Sequence, residues 1–524
     1  MNVKFYVHLR ILQLMLPACL FLTACQREYT RNKSHQKVSY SSIEKGEKLA
    51  AMYCQSCHLL PDPALLNSQS WDGGVLPNMG PRLGIFNYNL KPYPSSKYDR
   101  DLDTNFYPKA PLLKYEEWQN IIDYYTATSP DVLPEQQKQN QISVDTSAFK
   151  IIIPSFSYPY SSTSFLSIDT FHAGHRIILS DVSRQNTSII DQQLNIIDSM
   201  HNSGPVVNFE RIGAKLLACD IGVMNPNNGR FGKALLINEA EDGKYKEEDQ
   251  PLFDSLQRPV QITPADFNND GKSDYLVCEF GFITGALSWM ENMGNKKYTR
   301  HILRPLPGAI KAYVNDYNHD GLQDFMVLFA QGDESIILFT NKGNGNFAQE
   351  KLLSFPPSYG SSYFELADFN KDGYPDIVYT CGDNADYSPV LKPYHGVYVF
   401  INDKTNHFEQ KFFYPINGCY KAMARDFDGD GDLDIATISF FADYTNQPEE
   451  GFVYFRNMGG LHFQPLTVPG TEKGRWLTMD AGDFDGDGKA DIVLGNFSIG
   501  PILHKPKTEW QKGPPFILLK NISK

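Results

Sequence analysis

The sequence predicts a multidomain protein: a small all-α domain followed by an all-β seven-bladed propeller. Two patterns carry that expectation. A nine-residue, Asp-rich turn occurs five times between residues 266 and 491, and each copy runs into a short apolar strand. Well before it, two segments at 42–53 and 115–125 place apolar residues at helical spacing on either side of a Pro-rich stretch. Composition agrees, since 13% aromatic residues with 39 Gly and 33 Pro in 524 residues favour strands and turns for most of the chain. That length exceeds one ordinary domain. A formal charge of −13 argues against a nucleic-acid partner.

Taken in order, the first element is an export signal. Lys4 and Arg10 precede an apolar run over residues 11–24 that is too short for a comfortable membrane span. The run ends on Leu22-Thr23-Ala24-Cys25, which resembles the lipobox of bacterial lipoproteins. The resemblance implies cleavage of residues 1–24 and lipidation of Cys25. Gln26 in place of Asp points, by the same resemblance, to an outer membrane rather than an inner one. The expected location is thus an exported lipoprotein facing the periplasm or the cell surface. Residues 25–43 are polar and read as a tether.

Residues 44–130 form the expected helical domain, and Cys54-Gln55-Ser56-Cys57-His58 is its marker. Two thiols spaced C-x-x-C can form thioethers with the two haem vinyl groups, and the following His is placed to bind the iron. A redox dithiol is the bland alternative. With its flanking helices the segment resembles a small monohaem cytochrome c, which implies one covalent haem c on Cys54 and Cys57 with His58 as proximal ligand. Met79 is the only Met between Tyr53 and Met200, and no His lies between His58 and His172. Met79 is therefore the distal ligand by elimination, with a five-coordinate iron or a plain packing Met as alternatives. Thioether ligation raises the reduction potential and suits electron transfer.

A linker over 131–146 leads to the propeller, 147–524. The repeated turns are DFNNDGKSD at 266–274, DYNHDGLQD at 316–324, DFNKDGYPD at 368–376, DFDGDGDLD at 426–434 and DFDGDGKAD at 483–491. Oxygen side chains at positions 1, 3, 5 and 9, a turn-making Gly at 6 and a carbonyl at 7 can wrap one Ca²⁺. The ligands would be Asp266, Asn268, Asp270, Lys272 and Asp274 in the first loop, and Asp316, Asn318, Asp320, Leu322 and Asp324 in the second. Asp368, Asn370, Asp372, Tyr374 and Asp376 follow in the third. Asp426, Asp428, Asp430, Asp432 and Asp434 make the fourth; Asp483, Asp485, Asp487, Lys489 and Asp491 make the fifth. The seventh-position residues Lys272, Leu322, Tyr374, Asp432 and Lys489 would act through their backbone carbonyls.

The loops lack the twelfth-position Glu of an EF-hand and are flanked by strands. They resemble the FG-GAP or VCBS-type repeats of integrin-like β-propellers. The loops start 50, 52, 58 and 57 residues apart, one four-stranded blade each. Two degenerate copies upstream, at 169–174 and 207–215, bring the count to seven. The apolar runs near 149 and 516 are the candidates for closing the ring. The five loops hold 18 Asp, and about five Ca²⁺ would move the formal charge from −13 to about −3.

The connections after the second strands of two adjacent blades are long and both contain Ala-Asp-Tyr, so Asp386, Tyr387, Asp443 and Tyr444 are candidate partner-binding residues. Lys311 and Lys421 each precede a calcium loop by five residues on the strand expected to line the central channel. They would bind an anion, meet haem propionates, or pair with neighbouring Asp residues. Cys219, Cys278, Cys381 and Cys419 are either buried thiols or disulfide partners.

The expected function is a membrane-anchored electron-transfer lipoprotein whose propeller binds a redox partner or a polymer such as a carbohydrate. Two alternatives stand beside it: a propeller that itself oxidises a sugar or alcohol, and an adhesion or carbohydrate-binding module. No catalytic residue is assigned, and an electron carrier fits the residues better than a self-contained enzyme.

Overall fold

The computed structural model of the protein describes residues 28–29, 37–240, 244–385, 387–500 and 508–524. The expected signal segment, Cys25 and Asp386 lie outside the described residues. Among the described residues, no helix is long and apolar enough to cross a membrane.

The helical unit is built on two 14-residue helices, α1 (Tyr40–Tyr53) and α2 (Tyr115–Thr128). Ser39 caps α1 by accepting the Ser42 N–H at 3.2 Å, which is why the helix begins two residues before the expected start. Glu117 returns to accept the Lys114 N–H at 2.7 Å and so caps the start of α2. The helices cross in contact at Gly46, where a Cβ would stand 1.9 Å from the Asn120 carbonyl oxygen. Trp118, Ile121, Ile122 and Tyr125, the apolar face anticipated for α2, are all buried. Between the helices the chain folds into short turns, including a π-helical turn at Trp71–Val75 that leads into the helical turn Leu76–Met79.

The remainder is a ring of seven antiparallel sheets. Blade 1 holds strands Thr163–Asp169, Arg176–Asp181, Asn186–Ile190 and Ile196–His201. Blades 2 to 7 begin at Val206, Pro259, Ala309, Ser361, Cys419 and Trp476. Second strands such as Asp274–Glu279 and Asp324–Phe329 are buried at every position, as expected for strands packed between neighbouring blades. Blade 7 takes its outer strand from far upstream: Phe149–Ile152 pairs antiparallel with Phe516–Asn521, Asn521 opposite Phe149. Ser143–Val144, inside the segment expected to be linker, adds a fifth strand parallel to the edge of blade 6. Cys219, Cys278, Cys381 and Cys419 are buried free thiols.

Candidate functional site

The five Asp-rich turns join the first and second strands of blades 3 to 7 and share one hydrogen-bond scheme. The position-1 carboxylate accepts the N–H of the position-6 Gly at 2.8–3.0 Å. The position-3 oxygen accepts the position-5 N–H at 2.9–3.3 Å, and the position-5 carboxylate accepts the position-7 N–H at 2.8–3.0 Å. Positions 4 and 6 are both left-handed. Position 4 is Asn269 (φ 59°), His319 (58°) and Lys371 (59°) in three loops, and glycine in Gly429 and Gly486.

The position-9 Asp has a second role that its loop does not reveal. One oxygen accepts the position-2 N–H at 2.9–3.3 Å. The other accepts, at 2.7–2.9 Å, the N–H of an Asn at the end of the third strand: Asn292, Asn341, Asn402, Asn457 or Asn521. Each Asn then donates its Nδ2 to the position-8 carbonyl. Burial pushes the carboxyls of Asp434 and Asp491 up to about 6. The recurring Asn was readable in the sequence as a repeat of its own, but strand-end Asn resembles ordinary turn composition.

These loops fit a hard cation. In blades 6 and 7, Asp426, Asp428 and Asp434, and likewise Asp483, Asp485 and Asp491, each bring one carboxylate oxygen within 4.8 Å of the others. Where the motif has degenerated, in blade 1, a guanidinium meets the remaining carboxylate instead: Arg211 Nη2 lies 2.6 Å from Asp169 Oδ2.

At the end of α1, Cys54 and Cys57 are free thiols. Burial and then the nearby Cys57 sulfur push the Cys54 thiol up to about 11. His58 Nδ1 stands 2.9 Å from the Leu59 carbonyl. Because a carbonyl only accepts, Nδ1 carries the proton and Nε2 is left as a lone-pair donor. Met79 and Cys54 are half-buried against the same apolar cluster, which includes Trp71, Leu76, Trp118 and Tyr125. Cys54 and Met79 border this cluster, while Cys57 is exposed and His58 half-buried at the end of α1; paired thiols, an adjacent imidazole and a nearby thioether are the donor types a covalent haem uses.

The helical unit packs on the face of the ring that carries the second-to-third-strand connections. Asn228 Nδ2 donates to Asp99 Oδ2 at 2.7 Å, and Tyr394 Oη donates to the Leu65 carbonyl at 3.1 Å. Ile283 and Phe282 pack on Leu102 and Tyr107, and Val390 joins the cluster that holds Met79. Gly74, in the π turn before Met79, meets the blade 5 connection so closely that a Cβ would sit 2.0 Å from the Tyr387 carbonyl oxygen. Lys138 anchors the linker, its Nζ 2.5 Å from Glu450 Oε1 in a pair almost closed to solvent.

The two Ala-Asp-Tyr segments are not equivalent. Tyr387 is 39% exposed beside the helical unit, whereas Tyr444 is 5% exposed. Tyr444 donates to the Ser439 carbonyl at 2.7 Å and packs on Trp510 at 4.5 Å. Asp443 is buried and accepts the Asn446 side chain at 2.8 Å. Asp443 and Tyr444 thus hold their own loop together and offer no surface to a partner. Lys421 donates to the Met479 carbonyl at 2.7 Å, and its ammonium lies 4.8 Å from the Tyr363 ring. The Lys311 ammonium lies 4.8 Å from the Tyr313 ring and 5.8 Å from the Tyr363 ring.

Residues 316–379, from the calcium loop of blade 4 into the second strand of blade 5, match the FG-GAP-like repeat family. Over 168 residues the chain is 30% identical to cartilage acidic protein 1 of Mus musculus and of Homo sapiens, covering 30% of this chain and 24% of each relative. It therefore spans about a quarter of the length of those relatives. Among solved structures it is similar to a streptogramin B lyase, with 12% identity and TM-score 0.44 over 71% of this chain and 98% of the other. It is also similar to the N-terminal domain of Nup159, with 11% identity and TM-score 0.40 over 74% and 99%. Sqt1 of Saccharomyces cerevisiae gives 8% and 0.44 over 73% and 100%. The chain is a seven-bladed β-propeller with FG-GAP-like repeat sequence, preceded by a helical unit docked on one face.

Proposed function

We propose that the protein is a membrane-anchored electron-transfer lipoprotein, in which the helical unit carries one covalent haem c and the calcium-pinned propeller binds a redox partner or polymer. The observation that carries this reading is the arrangement at the end of α1: two free thiols followed by a His whose Nδ1 is engaged and whose Nε2 is open. Cys54 and Cys57 would hold the haem covalently, His58 and Met79 would flank the iron, and the group would supply one-electron chemistry. The chain's own part is positional. The Leu59 carbonyl fixes the His58 tautomer, while Trp71, Leu76 and Trp118 keep water from the cluster bordered by Met79. About five Ca²⁺ in the loops would neutralise the clustered carboxylates and stiffen the ring on which a partner docks.

The test is a redox-difference spectrum with potential titration of the exported, calcium-loaded protein. A low-spin c-type spectrum that changes in a Met79→Ala variant supports the reading; absence of haem bound through Cys54 and Cys57 overturns it. A second reading, a binding or adhesion module, is favoured by the FG-GAP-like match. It would be preferred if a glycan or protein ligand bound equally well whatever the haem content.

A further inference from the structure

The first strands of all seven blades line the axis in one register, each with a bulge after its first residue. Equivalent positions can therefore be compared around the ring. The third position is basic in blades 4 and 6 (Lys311, Lys421). The fifth is acidic in blades 2, 5 and 7 (Glu210, Glu365, Asp480). Two layers of opposite charge thus face one narrow channel.

Most of that charge is already matched by protein. Glu365 accepts from Arg425 at 3.0 Å and from the Ala424 N–H at 2.7 Å. Asp480 accepts the Ile168 N–H at 2.8 Å, and Lys421 is held by the Met479 carbonyl. Lys311 differs: among the described residues its ammonium donates to no protein oxygen and meets only the faces of Tyr313 and Tyr363. Glu210 attracts it without touching it. Beside Glu210, the buried Asn208 Oδ1 also has no hydrogen-bond partner.

Lys311, Glu210, Thr263 and Tyr313 line one cavity of about 580 Å³, whose walls continue to the calcium loops of blades 3 and 4 at Asn269 and Leu322. On the opposite face the channel is stopped. Phe440, Phe441 and Phe497 pack there with Val182, Met224 and Tyr420, side chains from blades 1, 2, 6 and 7. The cavity lies toward the calcium-loop face, away from the helical unit, and its volume lies in the range of small-molecule sites.

The chemistry of the well selects a ligand class. A half-buried ammonium that lines a cavity without a hydrogen-bonding partner favours an anion. The three carboxylates around the axis disfavour a doubly charged one, so phosphate is a poor match. Glu210 supplies an acceptor suited to hydroxyl groups, and Tyr313 supplies an aromatic wall. We propose that the well binds a hydroxylated monocarboxylate, a sugar acid, with its carboxylate on Lys311 and its hydroxyls toward Glu210. This owes nothing to the haem reading.

The probe is sodium glucuronate, titrated calorimetrically into the full, calcium-loaded protein, with glucose and inorganic phosphate as comparisons. We expect one saturable glucuronate site per chain, with glucose and phosphate at least about tenfold weaker. Lys311→Met should weaken glucuronate about ten- to a hundredfold, the loss expected for one charged hydrogen bond. Lys421→Met, whose ammonium is already bound to protein, should leave the affinity unchanged and serves as the control for folding. No saturable binding, equal affinity in Lys311→Met, or an equal loss in both variants overturns the proposal.

Discussion

Replacing Asp434 by Ala should destabilise the propeller by about 3–6 kcal/mol whether or not calcium is present. Asp434 is fully buried. Its Oδ1 accepts the Asn457 N–H at 2.7 Å, and its Oδ2 accepts the Phe427 N–H at 3.2 Å and the Tyr454 hydroxyl at 2.8 Å. Truncation strands three donors in the interior, and each unsatisfied buried group costs about 1–3 kcal/mol, with partial relief where water enters the vacated space. Asp430, four residues earlier in the same loop, is exposed and accepts one loop hydrogen bond, from the Asp432 N–H at 2.8 Å. Asp430→Ala should therefore cost under about 1 kcal/mol in chelator, yet lose most of whatever stabilisation calcium adds at blade 6. Urea unfolding of both variants, in EGTA and in calcium, separates the two roles. Equal stability of the variants in EGTA would refute the view that position 9 is a structural clasp and position 5 a cation ligand.

Three further outcomes follow from the same geometry. Gly74→Ala places a methyl group against the Tyr387 carbonyl and should loosen the docked helical unit by about 1–3 kcal/mol. Faster hydrogen exchange at residues 387–390 checks it, and unchanged exchange contradicts it. His319→Gly, at a φ of 58°, should stabilise the blade 4 loop by up to about 1 kcal/mol, bringing it to the residue type that blades 6 and 7 already use; a lower melting temperature would contradict this. Burial lowers the Lys421 ammonium from 10.5 to about 8, so between those values the unfolded chain binds more protons than the folded one. Stability of the parent relative to Lys421→Met should therefore rise as pH increases from about 8 toward about 10, and a flat difference in unfolding free energy would count against it.

The blades were legible because one set of residues signals twice: Asp and Gly at fixed offsets are both turn formers and cation ligands, and a continuous apolar strand follows each. The ring closure was legible for a similar reason, since the runs at 149 and 516 had apolar residues and no other partner. The third-strand Asn was not, because its meaning depends on an Asp in a different strand, such as Asp376 for Asn402. The Ala-Asp-Tyr echo misled because local sequence does not say which side of a loop faces inward. Tyr444 turns toward Trp510, a residue from the last connection of the chain. Lys311 and Lys421 looked equivalent in sequence, and only the Met479 carbonyl in the neighbouring blade tells them apart. Gly74 reads simply as a turn residue until the blade 5 connection is brought against it.

The outer strand of blade 7 imposes an order on synthesis. Phe149–Ile152 leaves the ribosome early but finds its partner only in Phe516–Asn521, made after all the other blades. The helical unit, by contrast, is built mainly from contacts within residues 40–128, so most of its core is made before the propeller can close. A chain stopped short of residue 516 would not be a propeller with fewer blades. Its last blade would lack its third strand, leaving the edges of Asp491–Asn496 and Phe149–Ile152 unpaired, the surface that quality-control proteases and aggregation both exploit.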